Sequence, residues 1–326
     1  VLYTCFKRNI RKDIKVVELA GHVSGMTAYQ HGEASLQQTI VGLAQNFVGS
    51  NNVNCLEPSG NFGSRLQGGT DCASARYIYT RLAPIARKIF HPADEPLLKF
   101  NEDDGEKIEP EVYVPVVPMI LINGADGIGT GWSSQIPNYN PEDIVENLKR
   151  MMDGEEPKPM KPWFRGFTGE VTALGPDRFK FSGIIRETGE KEVEITELPI
   201  RVWTQDFKDR LEEIIKGEKV PSFIKDYKDY NTHTKVHFVI QLDEKNMKNM
   251  QEENLEEKFK LSKTITTTNL VAFDPEGRIT KYATVEDILK EFYAFRIKLY
   301  EKRKVCGWRI TQCLTRANET LAISTE

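Results

Sequence analysis

The decapeptide DCASARYIYT, Asp71 to Thr80, sets an arginine directly before a tyrosine after a run of small residues. A phenol is a poor nucleophile at neutral pH because its reference pKa is about 10. Positive potential beside the oxygen changes that. A helix amino terminus supplies such potential through unpaired amides and the macrodipole. The spacing of Ile78, Leu82, Ile85 and Ile89 predicts a helix opening near Tyr77, with Pro84 kinking it or delaying its start. Arg76 adds a permanent charge on a planar fork suited to phosphate oxygens. Arg76 and Tyr77 could therefore hold a phosphodiester and direct a phenolate at its phosphorus. The plainer alternative is a tyrosine that packs where a helix starts.

Other residue patterns carry weaker chemistry. GADGIGTG, Gly124 to Gly131, has the glycine density of a phosphate loop. A dinucleotide or Walker fingerprint needs a helix opening straight from the loop, and a Walker loop needs a lysine. Trp132-Ser133-Ser134-Gln135-Ile136-Pro137 follows instead. Glycines also let backbone approach another surface closely. Ile128, held up by this loop, could then be an apolar wedge between base pairs, or it could be core. His22 and His31 are too far apart for a helical ligand pair, and His233 and His237 fall where HTHTKVH reads as the start of a strand. No GxSxG nucleophile elbow is present.

Charge narrows the partners. The 326 residues carry a net charge of -4, which argues against a histone-like binder of nucleic acid. Lys7, Arg8, Arg11, Lys12 and Lys15 nevertheless cluster against a single Asp13, and Arg65, Arg76, Arg81, Arg87 and Lys88 form a second basic group. Acid collects at Glu102-Asp103-Asp104 and Glu252-Glu253. A local basic face in an acidic protein can bind a polyanion, and a solvated surface is the alternative.

The elements that must position these groups can be read from periodicity. Leu36, Ile40, Leu43, Ala44 and Phe47 mark one face of a helix. VYVPVVPMILI, before the glycine stretch, is apolar and strand-like. Asn140 then Pro141 opens a helix that ends before Gly154. GEVTAL, RFKFSGII, EVEITEL and KVHFVIQL read as strands, interrupted by a helix from Gln205 to Lys216 that Gly217 follows. DPEG at 274–277 is a turn. Thr284 and Asp287 make a capping box ahead of Val285, Ile288, Phe292, Phe295 and Leu299, spaced as an a/d seam or as an ordinary amphipathic helix. Hydrophobic residues make up 39% of the chain, enough for a sizeable core. No apolar run approaches the roughly 20 residues of a membrane span. Five scattered cysteines without metal spacing predict free thiols in a reducing compartment, and the missing initiator methionine predicts a piece of a longer protein.

DCASARYIYT resembles the active-site tyrosine motif of eukaryotic type IIA DNA topoisomerases. AYQHGEASLQQTIVGLAQNFVGSNN, GNFGSRLQGG, FHPADEP, PMILINGADGIGTGWS, WFRGFTGEV, ITELPIRVWT and LVAFDPEGRITKY are similar to the same family, in the same order, up to about residue 304. Departures are Thr70 where a lysine is expected, Pro84, and a tail from Val305 in which Gly307 breaks the seam.

The resemblance implies an α+β fold. A helical winged-helix domain would occupy 1–115, a mixed β tower 116–283, and the start of a coiled-coil helix 284–326. It implies a covalent 5′-phosphotyrosyl bond at Tyr77, phosphate neutralisation by Arg76, transition-state assistance by His31, and DNA intercalation by Ile128. Lys7, Arg8, Lys12 and Arg65 would contact DNA. It further implies an ATP-dependent type II topoisomerase that breaks and rejoins duplex DNA, works as a homodimer in the nucleus, and binds Mg²⁺ and ATP on domains upstream of this chain, so that the chain alone is inactive. Two other readings are a non-catalytic DNA-binding and DNA-bending module, and a protein like the A chain of bacterial gyrase.

Overall fold

Apolar stripes on two helices build the first core. A computed structural model describes residues 1–189, 191–217, 222–242 and 255–324, with side-chain surroundings up to residue 307; Glu252-Glu253 lie outside these residues. Helix α1 spans Leu2–Lys7, α2 Val16–Met26 and α3 Glu33–Ala44. α2 buries Val16, Leu19, Ala20 and Val23, and α3 buries Leu36, Ile40, Val41 and Ala44. These stripes meet Cys5, Leu56, Ile78, Leu82 and Ile89 in one cluster. Each large aliphatic side chain buried there contributes about 1.5–3 kcal/mol. Phe47, beyond the end of α3, sets its ring edge-on against Trp203 instead.

Against the helices lies a small antiparallel sheet of β1 (Ile14–Lys15), β2 (Leu56–Ser59) and β3 (Tyr79–Leu82), with β3 in the centre. β3 points Tyr79 and Arg81 outward and buries Thr80 and Leu82. The helix expected from Tyr77 is therefore absent. Residues 75–77 form a turn, strand follows, and only beyond Pro84 does the short α4 (Ala86–Ile89) begin. Ile78, Leu82, Ile85 and Ile89 fit a helical stripe, yet Ile78, Thr80 and Leu82 also alternate, and strands on both sides select the alternation.

Hairpin β4 (Phe100–Asp103) and β5 (Glu106–Pro110) turns at Asp104-Gly105, both with positive φ of 48° and 82°. This is the Asp-Gly signature of a tight hairpin turn. The strand-like reading of VYVPVVPMILI is not realised. Pro115 and Pro118 cannot donate to a ladder, and Met119–Ile122 forms a helical turn, α5. The glycine-rich stretch is itself a hairpin of β6 (Ala125–Gly129) and β7 (Trp132–Ile136). Helix α6 (Pro141–Met152) is capped as expected, the Glu142 amide donating to the Asn140 side chain at 3.0 Å.

Beyond α6 the chain is mostly antiparallel sheet. One sheet orders β14 (Ser262–Thr266), β9 (Arg178–Ser182) and β8 (Glu170–Gly175). Another orders β10 (Ile184–Gly189), β11 (Glu192–Glu197), β13 (Phe238–Leu242) and β12 (Ile224–Asp229). Helix α7 (Thr204–Lys216) packs Phe207, Leu211 and Ile214 on Val193, Ile195, Phe238 and Ile240. It ends at Gly217, whose φ of 68° is the left-handed cap that glycine supplies.

Hairpin β15 (Val271–Phe273) and β16 (Ile279–Lys281) closes through the DPEG turn, the Gly277 amide donating to the Asp274 carbonyl at 2.9 Å. The last helix, Val285–Ser324, starts with the predicted capping box. The Thr284 amide donates to Asp287 at 3.0 Å and the Asp287 amide to Thr284 at 3.2 Å. Its first turns pack against α5 and α6. Val285, Ile288 and Leu289 pack into a core with Leu121, Tyr139 and Ile144 of the same chain. Buried Arg296 then fastens this helix to the Pro92–Leu97 segment and the chain beyond it, donating to Asp94 at 2.7 Å and to the Val114 carbonyl at 3.2 Å. Cys5, Cys55, Cys72 and Cys306 are free thiols, and the side chain of Cys313 lies outside those described. Burial pushes Cys5 and Cys55 up to about 11. With every strand pair among the described residues antiparallel and helices packed beside the sheets, the fold class is α+β.

Candidate active site

Tyr77 is 74% exposed, on a turn closed by its own amide donating to the Ser74 carbonyl at 2.9 Å. The next residue, Ile78, is 1% exposed and anchors the turn in the first core. No helix begins at Tyr77, but a different helix amino terminus lies beside it. The Val16 and Val17 amides, the first of α2, donate to the Ile78 and Ala75 carbonyls at 3.1 and 3.2 Å. The peptide that carries Arg76 and Tyr77 is thus clasped by the positive end of α2. Arg76 is exposed alongside, with no hydrogen bond or ion pair among the described residues.

The loop before this turn is folded tightly on itself. Asp71 accepts from the Ser64 amide at 2.9 Å and the Ser64 hydroxyl at 2.6 Å. Burial pushes the Asp71 carboxyl up, but the bonds from Ser64 outweigh it and hold the group below its ordinary value. A Cβ on Gly63 would sit 2.5 Å from the Gly69 backbone, and one on Gly68 would sit 2.3 Å from the Trp203 ring. The glycines of GNFGSRLQGG therefore serve close packing. Sequence reasoning did not find that Ser64 joins Asp71, or that His233, considered there only with His237, brings a ring nitrogen to 3.5 Å from the Ser64 hydroxyl. Nothing local marks the contact of His233 with a serine 169 residues away.

Basic residues divide between two roles. Lys7, Arg8, Arg11, Lys12 and Lys15 are all exposed, and Lys15 sits opposite Tyr79 in the β1–β3 register. Most of the second basic group is already neutralised. Arg81 pairs with Glu57 at 2.6 Å and Asp13 at 3.4 Å, and Arg87 pairs with Glu95 at 2.7 Å. Arg65, expected on DNA, is corrected outright. It is 6% exposed and bonded to Glu197, which is 1% exposed, so its charge faces a carboxylate across the two halves of the chain.

His31 is exposed on the loop between α2 and α3, with its ring edge against Tyr29. It lines a hollow with Val23, Thr27, Leu36, Thr39 and Glu109, beside the carboxyl end of α2. Tyr77 stands at the amino end. The two residues thus flank opposite ends of α2, whose 11 residues run about 16 Å at 1.5 Å per residue.

Ile128 is 94% exposed near the tip of the β6–β7 hairpin. The core alternative for this residue is excluded. The hairpin is fixed at its base, where the Ser134 hydroxyl donates to the Val271 carbonyl at 2.6 Å and the Gln135 amide to the Asn269 carbonyl at 2.9 Å. Among the described residues, no three His, Cys, Asp or Glu side chains converge to hold a metal ion. No helix among the described residues is long and apolar enough to cross a membrane.

Similarity to known proteins extends over nearly the whole chain. The model of the DNA gyrase/topoisomerase IV A-subunit family matches residues 1–324. DNA topoisomerase 2 of Penicillium chrysogenum is 84% identical over 304 residues, covering 93% of this chain and 19% of that protein. The enzyme of that name from Candida albicans is 51% identical over 304 residues, with 93% and 21% covered. Human DNA topoisomerase 2-beta is 50% identical over 306 residues, with 93% and 19% covered. The chain thus spans about a fifth of the length of these relatives. The solved Plasmodium falciparum topoisomerase II DNA-binding, cleavage and re-ligation domain superposes with a TM-score of 0.91 at 50% identity, over 93% of this chain and 42% of that one. The chain belongs to the DNA gyrase/topoisomerase IV A-subunit family, and within it to the eukaryotic DNA topoisomerase 2 type.

Proposed function

We propose that this chain is the breakage-and-rejoining part of an ATP-dependent type II DNA topoisomerase, with Tyr77 as the nucleophile. The observation that carries the reading is Tyr77, exposed next to Arg76 at the positive end of α2, in a chain of this family. The Tyr77 oxygen attacks phosphorus and the bond to the 3′ oxygen breaks. The phenol proton is lost and the departing 3′ oxygen gains one. The product is a 5′-phosphotyrosyl ester, which keeps the energy of the phosphodiester so that the 3′ hydroxyl can reverse the step. Arg76 is suited to neutralise the phosphate. Mg²⁺ and ATP would be held by parts of the longer protein outside this chain, which alone would be inactive. Domains at 1–115, 116–283 and 284–326, a nuclear site of action and a homodimer complete the reading.

The test is peptide mapping. Trypsin cuts after Arg76 and Arg81, so a trapped adduct, once its DNA is digested, should leave a phosphorylated YIYTR peptide. Fragmentation must place the phosphate on its first tyrosine. Phosphate found elsewhere in the protein overturns the assignment.

The separation of His31 from Tyr77 supports a site built from two copies on one duplex, with His31 of one copy serving the phosphate attacked by the other. His31→Ala in the full-length protein should then slow cleavage by roughly 10²–10³, as losing one transition-state donor does, with little change in DNA affinity. Near-normal cleavage with a lower melting temperature would make His31 structural.

Exposure of Ile128 supports a wedge. Opening a base step costs a few kcal/mol, which the bend recovers by bringing more phosphates to the Lys7–Lys15 face. Ile128→Ala should keep the fold and bend DNA less, seen as lower fluorescence transfer between duplex ends. An unchanged bend counts against the wedge.

A further inference from the structure

Arg201 holds one of the few positive backbone angles among the non-glycine residues, with φ at 57°. Left-handed backbone is unfavourable for a residue with a Cβ and persists only where the surroundings impose it. Here they do. The Val202 amide closes a turn onto the Pro199 carbonyl at 3.0 Å, while Ile200 is 2% exposed. This turn aims the Arg201 side chain at the foot of the β6–β7 hairpin.

Three contacts follow from that aim. Nε donates to the Gly49 carbonyl at 3.2 Å, and Nη2 donates to Asn138 Oδ1 at 3.4 Å. Nη1 lies 3.5 Å from Asp126 Oδ2. Asp126 is on β6, and Asn138 stands two residues past the end of β7. One guanidinium therefore grips both arms of the hairpin and ties them to the loop after α3. Asp126 and Ile128 are two apart on the same strand, so their side chains leave the same face, about 7 Å apart. The guanidinium also stands 5.4 Å from the centre of the Phe164 ring, which limits its freedom on the other side. Burial pulls Arg201 below its ordinary value and Asp126 opposes that, as expected of a desolvated cation leaning on a single carboxylate.

We infer that Arg201 is the positioning residue for Ile128, fixing the angle at which the hairpin presents it to a DNA base step. The inference rests on the wedge reading of Ile128. A hairpin free to tilt would let the isoleucine ride out of the stack rather than open it, because the DNA resists bending. A planar fork satisfies three acceptors in fixed directions, which a lysine cannot do.

The test uses the full-length protein and a short duplex labelled at both ends. Arg201→Gly suits the backbone, since glycine adopts this φ without strain. It should fold normally, lower fluorescence transfer toward the value of Ile128→Ala, and reduce cleavage on the order of tenfold. Arg201→Lys should rescue little. A duplex with a mismatch at the central step, already partly opened, should restore cleavage in Arg201→Gly. Asp126→Asn, at an exposed carboxylate, should shift the bend in the same direction and covers the case in which Arg201→Gly misfolds. Unchanged bending in Arg201→Gly or, if that misfolds, in Asp126→Asn, where Ile128→Ala does bend DNA less, overturns the positioning role and leaves the wedge standing. Unchanged bending in Ile128→Ala overturns both. A lowered melting temperature with a normal bend assigns Arg201 to stability alone and also overturns the inference.

Discussion

Tyr77→Phe in the full-length protein should bind duplex DNA normally and form no covalent protein–DNA adduct. The substitution removes one oxygen from a side chain that is 74% exposed and has no side-chain hydrogen bond among the described residues, so fold and affinity have no reason to change. Chemistry has every reason to change, because without the phenol there is no nucleophile to make the ester. Cleavage should fall by at least about 10³, as when the attacking atom of a covalent mechanism is removed. Tyr79 is the rival. It lies two residues on, is 38% exposed, and is held in strand opposite Lys15 and Ser59. Its side chain leaves the exposed face of β3 and not the turn that carries Arg76. End-labelled DNA that still travels with denatured Tyr77→Phe protein would move the assignment to Tyr79.

Glu197→Ala should be among the most destabilising single changes in the chain, costing about 3–5 kcal/mol. Glu197 accepts from Arg65, from the Thr168 amide at 3.2 Å and hydroxyl at 2.9 Å, and from the Leu198 amide at 2.9 Å. Truncation would leave the Arg65 cation 6% exposed with no counter-charge. The expected fall in melting temperature is roughly 5 °C or more. A double change, Arg65→Met with Glu197→Leu, should recover most of the loss, because the penalty comes from the unpaired charge more than from the missing pair. Equal destabilisation of the single and double variants would mean that the bonds to Thr168 and Leu198 carry the effect. The Tyr77 turn should loosen in the single variant, since Arg65 and Asp71 belong to one folded loop. Faster hydrogen exchange at residues 64–77 would register this.

Local signals were enough for several elements. Asn140-Pro141, Thr284 with Asp287, and Gly217 each act within a few residues of their own position, and each caps or ends a helix as expected. The α3 stripe depends only on its own periodicity. Tyr77 beside Arg76 and Ile128 among glycines could also be picked out, because adjacency and glycine content are sequence properties. The Asp104-Gly105 turn was visible in principle as a hairpin signal.

Tertiary structure decided the rest, and the reason is pairing at a distance. Residues 78–82 fit helix and strand alike until β1 and β2, from 14–15 and 56–59, supplied backbone partners on both edges. Helical potential at Tyr77 comes from α2, about 60 residues earlier in the chain, whose amides hold the Ala75 and Ile78 carbonyls. Whether an arginine meets DNA or a carboxylate depends on what folds against it. Arg65 met Glu197, Arg201 met Asp126, and Arg76 was left in solvent. Composition alone determined that the chain could bury a core and carry a basic flank. Which charges remain available to a phosphate is a matter of desolvation and counter-charge, and those exist only once distant residues are in contact.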